Sequence, residues 1–277
     1  MSKKRENILG YISLDTGKKA ITPLNDVFLN YTFLRQEYWE TLREMTNIFY
    51  KAYIKKHKDT NITPIKGEIN VITQYPYYRN ADSSTPKRQD MRIDSENKVD
   101  YIEFQNKTHP DLPIEVQSIE YLGFSLTRGE NKYASNLWLL NGAITNLLQG
   151  NIFSNYILMD EADHRTHPNT SNVLYVDLKR LSQTNSQAGE LAGILIGKVE
   201  APKDAKIDQI LQTLKNSFNV FKVDTEVRNI MTRVEQLEAR GRAEVRAELL
   251  PLLNEQGEQL AEKDKKIKEL ETLLARE

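Results

Sequence analysis

Two carboxylates and one amide, Asp90, Glu103 and Gln105, lie in a stretch whose pattern predicts a β-hairpin. Residues 89–94 and 99–105 each alternate polar and apolar side chains. This alternation is expected of strands, because successive side chains point to opposite faces. The four residues between the two runs are polar and suit a tight turn. One face of the hairpin would therefore carry acidic and amide groups.

The register of this hairpin decides which acidic residues meet. If Asp94 lies opposite Val99 across the turn, Asp90 lies opposite Glu103, and a two-residue turn at 96–97 gives the same pairing. Directly opposed residues have Cβ atoms about 5 Å apart, where like charges are destabilising. Two ionised carboxylates so placed need a cation or a shared proton.

Such a pair suits a divalent cation. Mg²⁺ or Mn²⁺ takes oxygen ligands and can bridge to a phosphate, and it lowers the pKa of an attacking water. Asp90 and Glu103 are thus candidate metal ligands and catalytic residues, and Gln105, on the same face as Glu103, could orient the water or a phosphate oxygen. Lys87 and Arg88 could contact a DNA backbone as point charges. The alternative is an ordinary solvated sheet surface.

The residues around the hairpin must supply the layers that hold it. Residues 25–56 carry apolar side chains at three- and four-residue spacing, which predicts helix, with a break near Arg35. Elsewhere we expect strands at 68–77, 136–142, 153–160 and 172–181, a helix at 113–128, and either state at 190–197. This order predicts an α/β or α+β fold in which a mixed sheet is flanked by helices.

Composition excludes several classes of protein. The chain has 277 residues, of which 39% are hydrophobic and 28% are charged, and its formal charge is −1. No segment approaches the roughly 18 uncharged apolar residues of a membrane span, and the basic start is followed by no signal-peptide core. We therefore expect a cytoplasmic protein with no membrane partner. The absence of cysteine excludes disulfides, thiolate zinc sites and a cysteine nucleophile.

We expect three parts along the chain: a polar leader at 1–22, a globular domain at 23–204 and a helical region at 205–277. The last part is rich in Glu, Lys, Arg, Leu and Ala. Apolar residues recur in it every seven positions, at Leu253, Leu260, Ile267 and Leu274. That spacing predicts a short coiled coil, which is either a solvated tail or a helix for homo-oligomerisation.

The acidic motif resembles that of a known superfamily. Asp90 in one strand and Ile102-Glu103-Phe104-Gln105 in the next match the pattern of the PD-(D/E)XK nucleases. More narrowly, the chain resembles the bacterial recombination-promoting nuclease/transposase family over roughly residues 20–182. The resemblance implies a restriction-endonuclease-like core and a Mg²⁺-dependent DNA endonuclease. It also implies DNA breakage linked to recombination or to a mobile element.

The same resemblance implies roles for residues outside the hairpin. Asn25-Asp26-Val27-Phe28 loosely matches an early D-x-x-F-like motif of the family, which makes Asp26 a third acidic residue of the site. Tyr121 lies where the family has a helical tyrosine, with Gln117 one turn before it, and both would face DNA. The usual lysine of the wider superfamily is Gln105 here. The narrower family usually has glutamine, which leaves the role of this position open.

Two alternatives remain at the level of sequence. Ile114-Glu115-Val116-Gln117 repeats the motif, with Asp100 upstream, although a proline and the spacing of Gln117 favour helix there. The second alternative concerns function: a degenerate, inactive family member could act as an interaction or DNA-binding module that oligomerises through residues 230–277.

Overall fold

The architecture is mixed α/β, seen in a computed structural model. It describes residues 8–14, 17–58, 60–77, 87–96, 98–105, 114, 116–119, 133–142, 148–157, 172–199, 201–225, 227 and 232, without the side chains of 74–77, 87–89 and 133. The chain divides into two compact units, one of residues 1–13 and 18–224 and the other of residues 14–17 and 225–277. Apart from the tip of the first hairpin, the elements below lie in the first unit.

Eight strands lie in the described part of the chain and form two sheets. They are β1 Tyr11–Leu14, β2 Gly17–Ala20, β3 Asn70–Tyr77, β4 Lys87–Asp94, β5 Lys98–Gln105, β6 Tyr133–Leu140, β7 Phe153–Ile157 and β8 Asn172–Asp177. β1 and β2 pair with each other, and the other six form one sheet in the order β3-β4-β5-β6-β8-β7. β5, β6 and β8 run parallel, whereas β3–β4, β4–β5 and β7–β8 are antiparallel pairs. The predicted mixed sheet is confirmed.

Helices flank the six-stranded sheet. They are α1 Asp26–Phe33, α2 Trp39–Lys56, α3 Leu178–Leu181, α4 Gln187–Leu195 and α5 Ala205–Phe221, and a short 3₁₀ turn spans Gln36–Tyr38. The predicted break near Arg35 is confirmed between α1 and α2. Residues 114 and 116–119 are also helical, and 190–197 resolves largely as helix α4.

The predicted hairpin is β4–β5, and its register is the expected one. Asp94 pairs with Val99 and Arg92 pairs with Tyr101. Unlike a half-solvated hairpin strand, β5 is buried along its length from Lys98 to Phe104. The reason is its place inside the sheet, with antiparallel β4 on one side and parallel β6 on the other, and with Tyr50 of α2 packed against one face.

The two ends of the chain depart from the simple three-part division. Residues 11–14 and 17–20, inside the range predicted as a polar leader, form the paired strands β1 and β2, and Ile12 in β1 is fully buried. At the other end, α5 is helical as predicted, but it packs within the first unit. Phe218 and Phe221 of α5 meet the ring of Phe28 edge-on, with centroids 5.8 and 5.3 Å away.

The predicted coiled-coil positions, Leu253 to Leu274, lie outside the described residues. Within the described part, no helix combines the length and the apolar character that crossing a membrane requires.

Candidate active site

Asp90 and Glu103 lie side by side on β4 and β5, as the hairpin register requires. The backbone N–H of Asp90 donates to Oε2 of Glu103 at 3.3 Å. The backbone N–H of Phe104 donates in turn to Oδ2 of Asp90 at 2.8 Å. Each carboxylate is therefore bonded to the backbone of the opposite strand, which holds the two acidic groups close together on a rigid support.

The surroundings of this pair disfavour two negative charges. Burial, and to a lesser extent the charge of Asp26, raises the pKa of Asp90 from its ordinary 3.8 to about 7, against the lowering effect of the Phe104 N–H. Burial is also the main cause that raises the pKa of Glu103, followed by the charge of Asp90. Glu103 is only 8% exposed. Near neutral pH the pair accordingly needs a proton or a cation.

Asp26 joins this acidic region from helix α1. The helix begins there because the side chain of Asn25 accepts a hydrogen bond from the N–H of Phe28 at 2.9 Å, which caps the N-terminus. Asp26 is exposed in the first turn, yet its charge raises the pKa of both Asp90 and Glu103. The third acidic residue implied by the family resemblance thus lies within electrostatic reach of the pair.

The carboxylates of Asp26, Asp90 and Glu103 do not form a complete metal-binding site by themselves. Among the described residues, no three acidic, histidine or cysteine side chains are grouped closely enough to hold an ion by themselves. Mg²⁺ does not require such a group, since it is commonly held by one or two carboxylates, several waters and phosphate oxygens of the substrate. The hard oxygen donors of Asp90 and Glu103, with their unfavourable mutual repulsion, fit that kind of binding.

Gln105 ends strand β5 at the edge of this site. Its Nε2 donates to Oε1 of Gln117 at 3.5 Å, so the structure brings together a predicted catalytic residue and a predicted DNA-binding residue. Its backbone carbonyl accepts from the N–H of Asn141 at 2.8 Å, which fixes the strand end. Tyr121 lies outside the described residues.

Lys87 and Arg88 occupy the start of β4, where they pair with Tyr77 and Pro76 of β3. Their backbones are thus placed beside the site, whereas their side chains are outside what the structure describes.

Asp100, the acidic residue of the rival motif, faces the other side of the sheet. Its Oδ1 accepts from Nζ of Lys98 at 2.9 Å and from the hydroxyl of Tyr50 in α2 at 2.7 Å. The second half of the rival motif belongs to a helical segment, since Ile114 and Val116 are helical, and Glu115 lies outside the described residues. Asp100 is thus part of a buried polar network against α2.

Sequence reasoning assigned no role to Arg92, which lies on the same face of β4 as Asp90. Its Nε and Nη2 donate to Oδ1 of Asp94 at 2.9 and 2.7 Å, and its guanidinium lies 5.8 Å from the ring centre of Tyr101. The sequence feature that could have pointed to Arg92 is its two-residue spacing from Asp90, because alternate residues of a strand share a face.

No protein-family model, curated protein or solved structure matches this chain.

Proposed function

We propose that the protein is a Mg²⁺- or Mn²⁺-dependent DNA endonuclease with a restriction-endonuclease-like core. The observation that carries the proposal is the pair of half-buried Asp90 and buried Glu103, side by side on adjacent strands with both pKa values raised. A pair that resists double ionisation without a partner is suited to binding a divalent cation. The order of strands around the pair, a hairpin continued by parallel strands, is consistent with this class of core.

In this proposal, each residue of the site has a separate role. Asp90 and Glu103 hold the cation, and Asp26 adds negative potential to the same region. Gln105 orients the attacking water or a phosphate oxygen through its amide. Lys87, Arg88, Gln117 and Tyr121 contact the DNA. When bound, the cation stabilises charge on the phosphodiester and favours ionisation of the water.

The wider biological setting is part of the proposal. The family resemblance suggests cleavage linked to recombination or to a mobile element, in the cytoplasm, with residues 205–277 supplying a helical, coiled-coil region for homo-oligomerisation. The repeat of apolar residues from Leu253 to Leu274 supports this role for the C-terminal region.

One observation favours a second candidate, an inactive relative that serves as an interaction or DNA-binding module. Gln105 occupies the position of the usual lysine and cannot carry a charge, and its amide contacts Gln117. A site that lacks the positive charge of this lysine would bind DNA or a metal ion without cutting the DNA.

Cleavage of supercoiled plasmid separates the two candidates. Purified full-length protein is incubated with plasmid and Mg²⁺ beside the variants Asp90→Ala and Glu103→Ala, with EDTA as the metal-free control. The nuclease proposal expects Mg²⁺-dependent nicking by the wild type and its loss in both variants. No nicking by the wild type, or equal nicking by all three proteins, would contradict it.

A further inference from the structure

Arg92 occupies the position next to the acidic pair on the same face of the hairpin. Arg92 pairs with Tyr101, and the pair Met91–Ile102 separates this position from Asp90 and Glu103 along the two strands. Two residues along a strand span about 6.6 Å, and residues with this spacing share a face. The backbone of a cationic residue therefore lies two positions along the strand from Asp90, at a spacing comparable with that between successive phosphates of a DNA strand, and its guanidinium contacts Asp94 and Tyr101.

The guanidinium of Arg92 is held in place. The side chain is 11% exposed, and its Nε and Nη2 donate to the same oxygen of Asp94. Its Nη1 lies 3.5 Å from the hydroxyl of Tyr101, whose ring lies beside it. An arginine fixed in this way loses little conformational entropy when a ligand binds. The N–H groups of its planar guanidinium match the spacing of the oxygens of a phosphate.

A cation is needed on this face because the site is otherwise acidic. Asp26, Asp90 and Glu103 together repel an approaching phosphodiester, and a single divalent ion is largely balanced by its own carboxylate ligands. Among the described side chains on this face of β4 and β5, Arg92 is the only cationic one.

We propose that Arg92 binds the DNA phosphate adjacent to the one that is cut. The inference rests on the proposed nuclease function and adds the residue that sets the position of the strand along β4. Arg92 then contributes to binding of DNA, while hydrolysis itself depends on Asp90 and Glu103. A purely structural role, in which Arg92 only braces Asp94, makes a different prediction about salt.

The test measures how DNA affinity changes with salt. Fluorescence anisotropy of a labelled linear duplex, with Ca²⁺ in place of Mg²⁺ to prevent cutting, is recorded for the wild type, Arg92→Ala and Arg92→Lys. The control is Arg43→Ala in α2, since Arg43 also pairs with a carboxylate, that of Glu40 at 2.5 Å, but belongs to the helix that covers the opposite face of the sheet.

We expect Arg92→Ala to lower DNA affinity about tenfold, the loss typical of a hydrogen bond to a charged group. The slope of log affinity against log salt should become shallower by about 0.9, since one phosphate contact is lost. Arg92→Lys should keep the wild-type slope because the charge remains, and Arg43→Ala should match the wild type.

An unchanged salt slope in Arg92→Ala, with a wild type that binds and cuts DNA, would overturn the assignment of Arg92 and leave the nuclease proposal intact. So would an equal loss of affinity in Arg43→Ala. A wild type that fails to cut with Mg²⁺ would remove the proposed function itself. Melting temperatures of all variants exclude a loss of affinity that comes from unfolding.

Discussion

The N–H of Asp90 donates to the carboxylate of Glu103 at 3.3 Å, across the two strands that carry the candidate site. The bond brings an acidic side chain to the backbone of another acidic residue, in a region where burial already disfavours charge. The pair is therefore poised to hold a proton when no cation is bound and to release it when one is.

Stability of the metal-free protein should fall as pH rises from about 4 to about 7. The folded-state pKa of Asp90, about 7, lies above its ordinary value of 3.8, so the folded protein holds a proton that the unfolded chain has lost in this window. The free energy of unfolding then decreases with pH, by an amount on the order of a few kcal/mol. Asp90→Asn should lack this part of the decrease. Urea unfolding in EDTA across the window measures it, and parallel curves for the two proteins would contradict the account.

Metal binding should release a proton. At about pH 6 one carboxyl of the pair is still protonated, so the ion must displace that proton to bind. Calorimetric titration with Mn²⁺ in buffers of different ionisation enthalpy should show release of about one proton and an affinity that rises with pH towards neutrality. Proton release that is unchanged in Asp90→Asn would contradict the assignment.

Gln105→Ala should lower the cleavage rate by about a hundredfold, the usual contribution of a group that positions a reacting water. Gln117→Ala should have a smaller effect, because Gln117 only contacts the amide of Gln105 at 3.5 Å. Single-turnover rates at saturating DNA measure both effects. If the wild type is inactive and Gln105→Lys cuts DNA, the chain is an inactive nuclease-like protein that lacks the catalytic lysine.

Lys98→Met should destabilise the protein by about 3–5 kcal/mol, since it leaves a buried carboxylate without its partner. Asp100 is fully buried, and its Oδ2 has no hydrogen-bond partner among the described residues. The double variant Lys98→Met with Asp100→Leu should recover much of this loss. Urea unfolding measures the three proteins, and a double variant less stable than Lys98→Met alone would argue against the buried ion pair as the cause.

Local patterns in the sequence predicted the hairpin and its register. Alternation of side chains and a polar turn were enough to place Asp90 beside Glu103, because both signals concern residues near each other in the chain. The break near Arg35 was visible for the same reason.

Long-range burial was not visible in the sequence. Lys98 and Asp100 look like turn-proximal polar residues, yet both are buried because Tyr50, far away in the chain, covers them. The β1–β2 hairpin was missed although Gly17 offered a turn signal; its φ of +125° is one that glycine adopts readily. The two-residue spacing of Arg92 from Asp90 indicated their shared face, whereas the contacts of the Arg92 guanidinium with Asp94 and Tyr101 required the structure.

The central claim, that Asp90 and Glu103 form a metal site for cutting DNA, is tested most directly by the Mg²⁺ dependence of plasmid cleavage. Single-turnover rates are compared for the wild type, Asp90→Asn, Glu103→Gln and the control Asp100→Asn, a fully buried acidic residue on the opposite face. We expect Mg²⁺-dependent cleavage by the wild type, a loss of at least about a thousandfold in the two site variants, and a near wild-type rate in folded Asp100→Asn. Cleavage that persists without Mg²⁺, or that survives both site substitutions, would contradict the claim.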